Sequence, residues 1–186
     1  MTKSRRAVFL DRDGTLNVDR GYLIDPMDMQ LLPSVGEAVQ LLQAAGFVCV
    51  VVTNQSAVGR GMMTEAHLGR VHEEMNRQLA AIGVTLGGIY ACTTPPSTTG
   101  NEHPDRKPGP GLLLRATAEL QLDLAESWMV GDKLSDVLAG QNAGCRGCIL
   151  VRTGDPIDET QFARARPFHV SDDLLAAAQH ILAHPI

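Results

Sequence analysis

Short apolar runs alternate with amphipathic segments along most of the chain, and this alternation restricts the fold more than any other feature of the sequence. The runs lack polar residues at alternate positions, as strands covered on both faces require. The segments between them carry apolar residues at steps of three and four, which is typical of helices with one buried face. The pattern predicts an α/β fold, a doubly wound, mainly parallel sheet of five to six strands with helices on both faces, of Rossmann-like type. We predict strands at residues 7–10, 47–52, 89–92, 128–130 and 148–151.

The predicted helices are marked at their starts by residues that commonly cap them. Ser34 and Glu37 have the spacing of a capping box. Thr64 precedes a long apolar stripe, and Ser171 is suited to the N-cap of the last helix. The other helices are predicted over residues 112–120, 134–143 and 173–182. We predict loops, which shape the binding crevice when they leave the carboxyl ends of strands, at residues 17–33, 55–63 and 93–110.

Chain length limits how much can be added to this core. We expect one domain over residues 1–186. The stretch between Thr15 and Ser34 is too short for an inserted cap domain, and so is the stretch between Thr53 and Lys107. The sequence therefore predicts a binding site that is open to solvent.

Charge and aromatic content argue against several classes of partner. With a net charge of -5 and 4% aromatic residues, the chain has neither a basic surface nor many stacking side chains. No apolar stretch reaches the roughly 18–20 residues that cross a bilayer, and residues 1–6 carry no signal-peptide core. We therefore expect a cytoplasmic protein without nucleic-acid or membrane partners. We also expect a monomer, although charge does not bear on the oligomeric state.

Two acids follow the first predicted strand. Asp11 and Asp13 are two residues apart, and extended backbone can point such side chains to the same side. Two carboxylates held close together raise one pKa unless a cation lies between them, so the pair fits a general-acid arrangement or half of a metal site. A solvated strand end with Gly14 as the turn residue explains the same pattern.

A hydroxyl and two cations follow the next strands. Thr53 ends the second strand, where it can donate to a phosphate oxygen or simply cap the strand. Arg106 and Lys107 precede a helix start, which favours an anion beside them. Two exposed basic residues on a loop remain the plainer interpretation, because exposed charges cost little.

The fourth strand adds a further acid. Asp132 follows it, and with Asp11 and Asp13 it makes an all-oxygen set suited to Mg²⁺. Asp136 lies four residues later, as a negative charge at the helix start or as a partner that orients other ligands.

Together the strand ends offer the groups that phosphoryl transfer through a carboxylate needs. On these residues the chain resembles the phosphatases of the haloacid dehalogenase superfamily over nearly its whole length. Within the superfamily it is more similar to the group of heptose bisphosphate phosphatases and histidinol phosphatases. The matching segments are residues 11–15, 53–54, 107–108 and 131–136 for the superfamily, and 19–22, 52–56, 60–61, 106–108 and 129–133 for the group.

The resemblance implies a Mg²⁺-dependent phosphatase with a covalent intermediate. Asp11 would be the nucleophile that becomes an aspartyl-phosphate, and Asp13 would protonate the leaving oxygen and later deprotonate water. Thr53 and Lys107 would hold the phosphoryl oxygens. Mg²⁺ would lie between the Asp11 carboxylate, the backbone carbonyl of Asp13 and Asp132.

It also implies a small phosphorylated sugar as substrate, with loss of the 7-phosphate of D-glycero-D-manno-heptose 1,7-bisphosphate. A second phosphate would need cations beyond those used in the reaction. The residues implied to contact the substrate are Asp19, Arg20, Gly21, Tyr22, Asn54, Gln55, Ser56, Arg60, Arg106 and Lys133.

The chain departs from the group where its relatives usually carry a zinc loop. Cys92, His103 and Asp105 are the weak candidates here, and structural zinc wants about four cysteine or histidine ligands. We therefore expect no bound zinc, and a loop ordered by its prolines and packing or only when substrate binds. The four cysteines are expected to be free thiols.

Two alternative functions stay open on the sequence. One is a phosphatase for histidinol phosphate or a broader range of phosphomonoesters, which would bind one phosphate. The other, from a different class, is a non-catalytic phospho-acceptor signalling domain. That design places its acceptor acid after the third strand, where this chain has Cys92 and Thr93.

Overall fold

The computed structural model describes residues 5–156 and 159–184. Within them, six parallel strands form one sheet in the order β3-β2-β1-β4-β5-β6. The strands are β1 (Ala7–Leu10), β2 (Val48–Asn54), β3 (Gly88–Cys92), β4 (Trp128–Gly131), β5 (Gly147–Val151) and β6 (His169–Ser171). The predicted fold class is confirmed. The hydrophobic pattern did not predict β6, because this strand has only three residues and begins with the exposed His169. So short a strand shows no hydrophobic pattern.

Helices cover both faces of this sheet. They are α1 (Val35–Ala44), α2 (Ser56–Gly59), α3 (Glu65–Ala81), α4 (Gly111–Leu120), α5 (Leu134–Ala143) and α6 (Leu174–Ala183). Alternate residues of β1 face opposite layers: Val8 and Leu10 pack with α1, α3 and α6, whereas Ala7 and Phe9 pack with α4 and α5. The fully buried strands therefore need apolar residues at every position, which explains their lack of alternation.

Of the three predicted helix caps, one is confirmed and two are wrong. Thr64 caps α3 as predicted, since its Oγ1 accepts the N–H of His67 at 3.1 Å. The capping box at Ser34 is wrong, because Ser34 has a left-handed φ of 63° and its side chain makes no capping bond. The predicted cap at Ser171 is also wrong: Ser171 lies in β6, and Asp173 caps α6 by accepting the N–H of Ala176 at 2.8 Å.

The three predicted loops leave the carboxyl ends of β1, β2 and β3. The first contains one 3-10 turn (Pro26–Asp28), and the second contains α2, so the prediction of an irregular segment is wrong over Ser56–Gly59. No cap domain occurs among residues 5–156 and 159–184. The cysteines are all free thiols, as predicted.

Helix length and hydrophobicity decide whether a helix can cross a bilayer. No helix within the described ranges is both long enough and apolar enough to do so. Most of the segment in which we expect no signal-peptide core, residues 1–4, lies outside the described residues.

Candidate active site

The sheet order brings the predicted strand-end residues together. β1 lies between β2 and β4, with Leu10 paired to Val51 on one side and to Val130 on the other. The polar residues at or just beyond these ends therefore meet at one edge. They are buried, with exposed fractions of 6% for Asp11, 1% for Thr53, 4% for Lys107 and 2% for Asp132.

Lys107 is held between two carboxylates. Its Nζ lies 2.8 Å from Asp11 Oδ1 and 2.6 Å from Asp136 Oδ1, and it donates to the carbonyl of Val52 at 2.8 Å. Burial disfavours the ammonium, but the two carboxylates outweigh it and raise the pKa of Lys107. The three N–H groups thus all have acceptors, and Lys107 stays a buried cation.

Asn54 fixes the loop that carries this lysine. Its Nδ2 donates to the carbonyl of Lys107, and its Oδ1 accepts the backbone N–H of Lys107, both at 3.1 Å. The loop before α4 is therefore tied to the end of β2, although the two are more than fifty residues apart in the chain.

Asp13 is surrounded by hydrogen-bond donors. Arg12 donates to both of its carboxylate oxygens, the shortest contact being 2.8 Å, and Asn17 Nδ2 donates at 2.9 Å. Gln55 Nε2 donates to Asp13 at 2.8 Å and to Thr53 Oγ1 at 2.9 Å. Burial opposes ionisation, but Arg12 and these donors lower the pKa of Asp13 below its ordinary value. Asp13 is therefore a carboxylate at neutral pH and is linked to Thr53 through Gln55.

The other acids form a crowded cluster. Asp11, Asp132 and Asp136 offer carboxylate oxygens that lie within 4.8 Å of one another. Burial, with the charges of Asp11 and Asp136, raises the pKa of Asp132 to about 8. Burial also raises the pKa of Asp11 to about 6, against the lowering by Lys107. Asp132 therefore needs a cation beside it to be ionised at neutral pH.

Asp136 already has partners for both of its oxygens. Oδ1 faces Lys107, and Oδ2 accepts the backbone N–H of Lys133 at 2.9 Å, which caps α5. Asp132 differs, because its Oδ1 is buried without a hydrogen-bond partner within the described chain. Asp11 and Asp132 are therefore the carboxylates that fit a hard divalent cation such as Mg²⁺.

A cleft with a volume of about 410 Å³ opens beside Asp132. Lys133 Nζ crosses it, 3.0 Å from Asp19 Oδ2, 3.6 Å from Asp155 Oδ2 and 3.8 Å from Asp132 Oδ2. Its lining residues are Val18, Asp19, Gly21, Lys133, Thr153, Gly154 and Asp155. Three of the predicted substrate residues, Asp19, Gly21 and Lys133, thus share one cleft.

Comparison with known proteins identifies the family. The family model described as HAD-hydrolase-like matches residues 105–177. The chain is 45% identical over 158 residues to a D-glycero-beta-D-manno-heptose-1,7-bisphosphate 7-phosphatase from Pasteurella multocida, covering 83% of this chain and 86% of the relative. It is 45% identical over 161 residues to the phosphatase of that name from Escherichia coli K12, with 84% of each chain covered. The chain belongs to the HAD-like hydrolases.

Two solved structures resemble this HAD-like hydrolase along almost its full length. The D,D-heptose 1,7-bisphosphate phosphatase from B. bronchiseptica, complexed with magnesium and phosphate, has a TM-score of 0.83 at 32% identity and covers 96% of this chain and 98% of its own. The D,D-heptose 1,7-bisphosphate phosphatase from Burkholderia thailandensis has a TM-score of 0.67 at 31% identity, with 97% and 100% covered.

Several predicted residues of this HAD-like hydrolase lie apart from the cluster. Arg20 is exposed and donates to the carbonyl of Asp28 and to Gln30. Arg106 is half-buried, and its Nη1 donates to the carbonyl of Thr94 while its Nε lies 3.6 Å from Glu102. Three more residues were predicted to contact the substrate. Ser56 is partly buried at the start of α2, Arg60 is exposed just after α2, and Tyr22 is 44% exposed on the loop after β1.

The weak zinc candidates make other contacts. Cys92 is buried in the core that contains α4. Nδ1 of His103 accepts the backbone N–H of Asp105 at 3.1 Å, and Asp105 Oδ2 pairs with Arg115 at 3.0 Å. The absence of zinc stays a prediction.

Sequence reasoning missed several residues that contact the site. Arg12, which is fully buried, stands between the two predicted acids, and a charged residue that follows a buried strand was the available signal. Two further residues gave no signal, because neither falls in a strand-end pattern. Asn17 donates to Asp13, and Nε2 of His72 lies 3.2 Å from Nη1 of Arg12. Thr153 and Asp155 line the cleft and directly follow β5, which was a predicted strand. Their position after a strand end was therefore the available signal.

Proposed function

We propose that the chain is a Mg²⁺-dependent phosphatase that removes the 7-phosphate of D-glycero-D-manno-heptose 1,7-bisphosphate through an aspartyl-phosphate. The observation that carries the proposal is the buried Asp11 carboxylate, paired with Lys107 at 2.8 Å and clustered with Asp132, in a chain 45% identical to phosphatases of that name. One domain over residues 1–186 performs the whole reaction.

The metal site is built around Asp132 Oδ1, which has no hydrogen-bond partner among the described residues. The carboxylates of Asp11 and Asp132, with the backbone carbonyl of Asp13, would hold Mg²⁺. Bound there, the ion offsets negative charge on the phosphoryl oxygens and on the clustered acids. The orphaned Oδ1 of Asp132 and the all-oxygen donor set support this assignment.

In the first step Asp11 attacks phosphorus. A bond forms between the Asp11 carboxylate and phosphorus, and the bond from phosphorus to the sugar oxygen breaks. Asp13 gives its proton to that departing oxygen. In the free enzyme the donors around Asp13 keep it ionised, and the negative charge of an incoming phosphate raises its pKa in the direction that a proton donor needs. Thr53 and Lys107 hold the phosphoryl oxygens.

In the second step the intermediate is hydrolysed. Asp13 is now a carboxylate, and it accepts a proton from a water that attacks phosphorus. The bond between phosphorus and Asp11 breaks, and inorganic phosphate leaves. The donors Arg12, Asn17 and Gln55 stabilise the ionised form that this base requires.

The rest of the sugar occupies the cleft beside Asp132. Asp19 can accept hydrogen bonds from hydroxyl groups there, and Lys133 can bind hydroxyl groups or the second phosphate. The positive φ of 72° at Gly21 allows the backbone to turn against the cleft. Arg106, whose Nη1 donates to the carbonyl of Thr94, is a further cation for a second phosphate. The remaining residues that we assign to the substrate are Arg20, Tyr22, Asn54, Gln55, Ser56 and Arg60.

The direct test measures phosphate release from a panel of esters. The panel holds both anomers of heptose 1,7-bisphosphate, other sugar bisphosphates and histidinol phosphate, each with and without Mg²⁺. We expect the highest kcat/KM on a heptose bisphosphate and none without the metal. Equal rates across the panel would contradict the substrate, and turnover without a divalent ion would contradict the mechanism.

A further inference from the structure

A histidine of α3 reaches the guanidinium of Arg12 beside the site. Nε2 of His72 lies 3.2 Å from Nη1 of Arg12, although the two residues are sixty positions apart. Arg12 is fully buried and gives its other donors, Nε and Nη2, to Asp13. His72 is therefore the side chain that meets the remaining nitrogen of this guanidinium.

The contact requires a neutral ring that accepts. A guanidinium has only donors, so Nε2 of His72 must carry a lone pair and the ring proton must be on Nδ1. Burial and the charge of Arg12 lower the pKa of His72 to about 4. The ring is thus uncharged at neutral pH, and its acceptor is available to Arg12.

The geometry explains why such an acceptor matters to Asp13. Arg12 holds the Asp13 carboxylate through a planar fork of N–H groups, so rotation of the guanidinium plane moves or breaks those bonds. A buried donor without an acceptor is costly, and without His72 the guanidinium would turn to find another partner. We propose that His72 is a positioning residue that fixes the guanidinium of Arg12 and, through it, the acid-base carboxylate of Asp13.

This inference rests on the proposed role of Asp13 as proton donor and acceptor. If His72 positions this acid, its loss should lower activity on a sugar phosphate more than activity on an aryl phosphate. A sugar alcohol is a poor leaving group and needs a proton as it departs, whereas p-nitrophenolate departs as an anion. Because kcat/KM covers only the steps through departure of the leaving group, it separates proton donation from the later hydrolysis.

The test compares kcat/KM of wild type, His72→Leu and His72→Met on heptose 1,7-bisphosphate and on p-nitrophenyl phosphate. Neither replacement offers a strong acceptor, and methionine is an unbranched helix former in case leucine impairs folding. We expect kcat/KM on the sugar phosphate to fall about tenfold, because only a part of the general acid's contribution is lost. On the aryl ester, kcat/KM should change by no more than about twofold. His72→Gln, which keeps an acceptor near the position of Nε2, should restore the sugar phosphate activity.

Two further variants make the outcomes distinguishable. His67→Leu, the same replacement five residues earlier in α3, should leave activity on both substrates unchanged. Asp13→Asn should show the same selectivity with a larger loss. Equal losses on both substrates for the His72 variants, or no rescue by glutamine, would overturn the positioning role alone. Equal losses for Asp13→Asn would overturn the proposed acid and the inference with it.

Discussion

Buried charge is the dominant feature of the site at the scale of single residues. Lys107 lies between Asp11 and Asp136, while Asp13 is held by Arg12. The acids after β1 and β4 could be predicted because they follow strands, and parallel strands end at one edge. Lys107 was indicated by its place before a helix start. The contact between Arg12 and His72 could not be predicted, because it depends on how α3 packs against the rest of the fold.

Removal of the buried ammonium tests this charge balance. Lys107→Met should abolish phosphatase activity and destabilise the protein by about 3–5 kcal/mol, because two buried carboxylates lose their cation. Lys133→Met is the matched control, since Lys133 is 39% exposed and its pairs are partly solvated. It should cost no more than about 1 kcal/mol. Urea denaturation of both variants measures the difference, and equal costs would contradict the buried pairing.

The neutral state of His72 predicts a pH dependence of stability. The pKa of His72 is about 4 in the folded protein, against an ordinary value of 6.5. Between these values the unfolded chain binds a proton that the folded protein does not, so stability is lost as pH falls from 6.5 towards 4. Arg12 faces the ring and opposes its protonation, whereas Asp13 favours it.

His72→Gln keeps a polar acceptor but does not titrate. Compared with this variant, the wild type should lose about 3 kcal/mol more between pH 7 and pH 4. Urea denaturation across this range measures it. Parallel pH profiles for the two proteins would show that His72 is not held neutral by the fold.

At the scale of elements, close packing of α5 on the sheet positions the start of that helix. A Cβ at Gly140 of α5 would lie 2.6 Å from both Met129 Cβ and Cys148 Sγ. The sequence predicted α5 from its amphipathic pattern and the strands beneath it from their continuous apolar runs. It predicted the cap of α3 at Thr64, but not the cap of α6 at Asp173. The capping box at Ser34 fails because Ser34 has the right residue type but a left-handed backbone.

A pair of glycine replacements tests the importance of this contact. Gly140→Ala should lower both stability and activity, because the added methyl group pushes α5, with Asp136 in its first turn, away from β4 and β5. Gly69→Ala in α3 is the control, since a Cβ there meets nothing within 4 Å. It should stabilise the protein by about 0.5–1 kcal/mol without a change in kcat. Thermal melts and phosphate release measure both, and a stabilised, active Gly140→Ala would contradict the account of α5.

At the scale of the whole molecule, the proposed metal site would link ion binding to folding through the acidic cluster. The α/β class, the helices on both faces and the absence of a cap among the described residues followed from segment lengths and hydrophobic pattern. The order of the strands did not, because the pattern does not show which strands are neighbours. The positions of Arg20 and Arg106 did not, because exposed and half-buried side chains take their contacts from nearby loops.

Mg²⁺ should stabilise the protein in proportion to its binding. At a concentration about 100 times its Kd, the ion should raise the free energy of unfolding by about 2.7 kcal/mol. In Asp132→Asn the gain should be largely lost, because one of the two proposed carboxylate ligands is gone. Thermal melts with and without the ion measure this, and an equal gain in both proteins would place the ion elsewhere.

The covalent intermediate is the central claim, and trapping it is the most direct measurement. Asp13→Asn, which cannot activate water, is incubated with p-nitrophenyl phosphate and Mg²⁺, quenched in acid and analysed by intact and peptide mass. We predict one added phosphoryl group, located on the peptide that contains Asp11 and absent when Asp11→Asn is also introduced. Release of p-nitrophenol in a single turnover, with no phosphoryl group on that peptide, would contradict attack by Asp11.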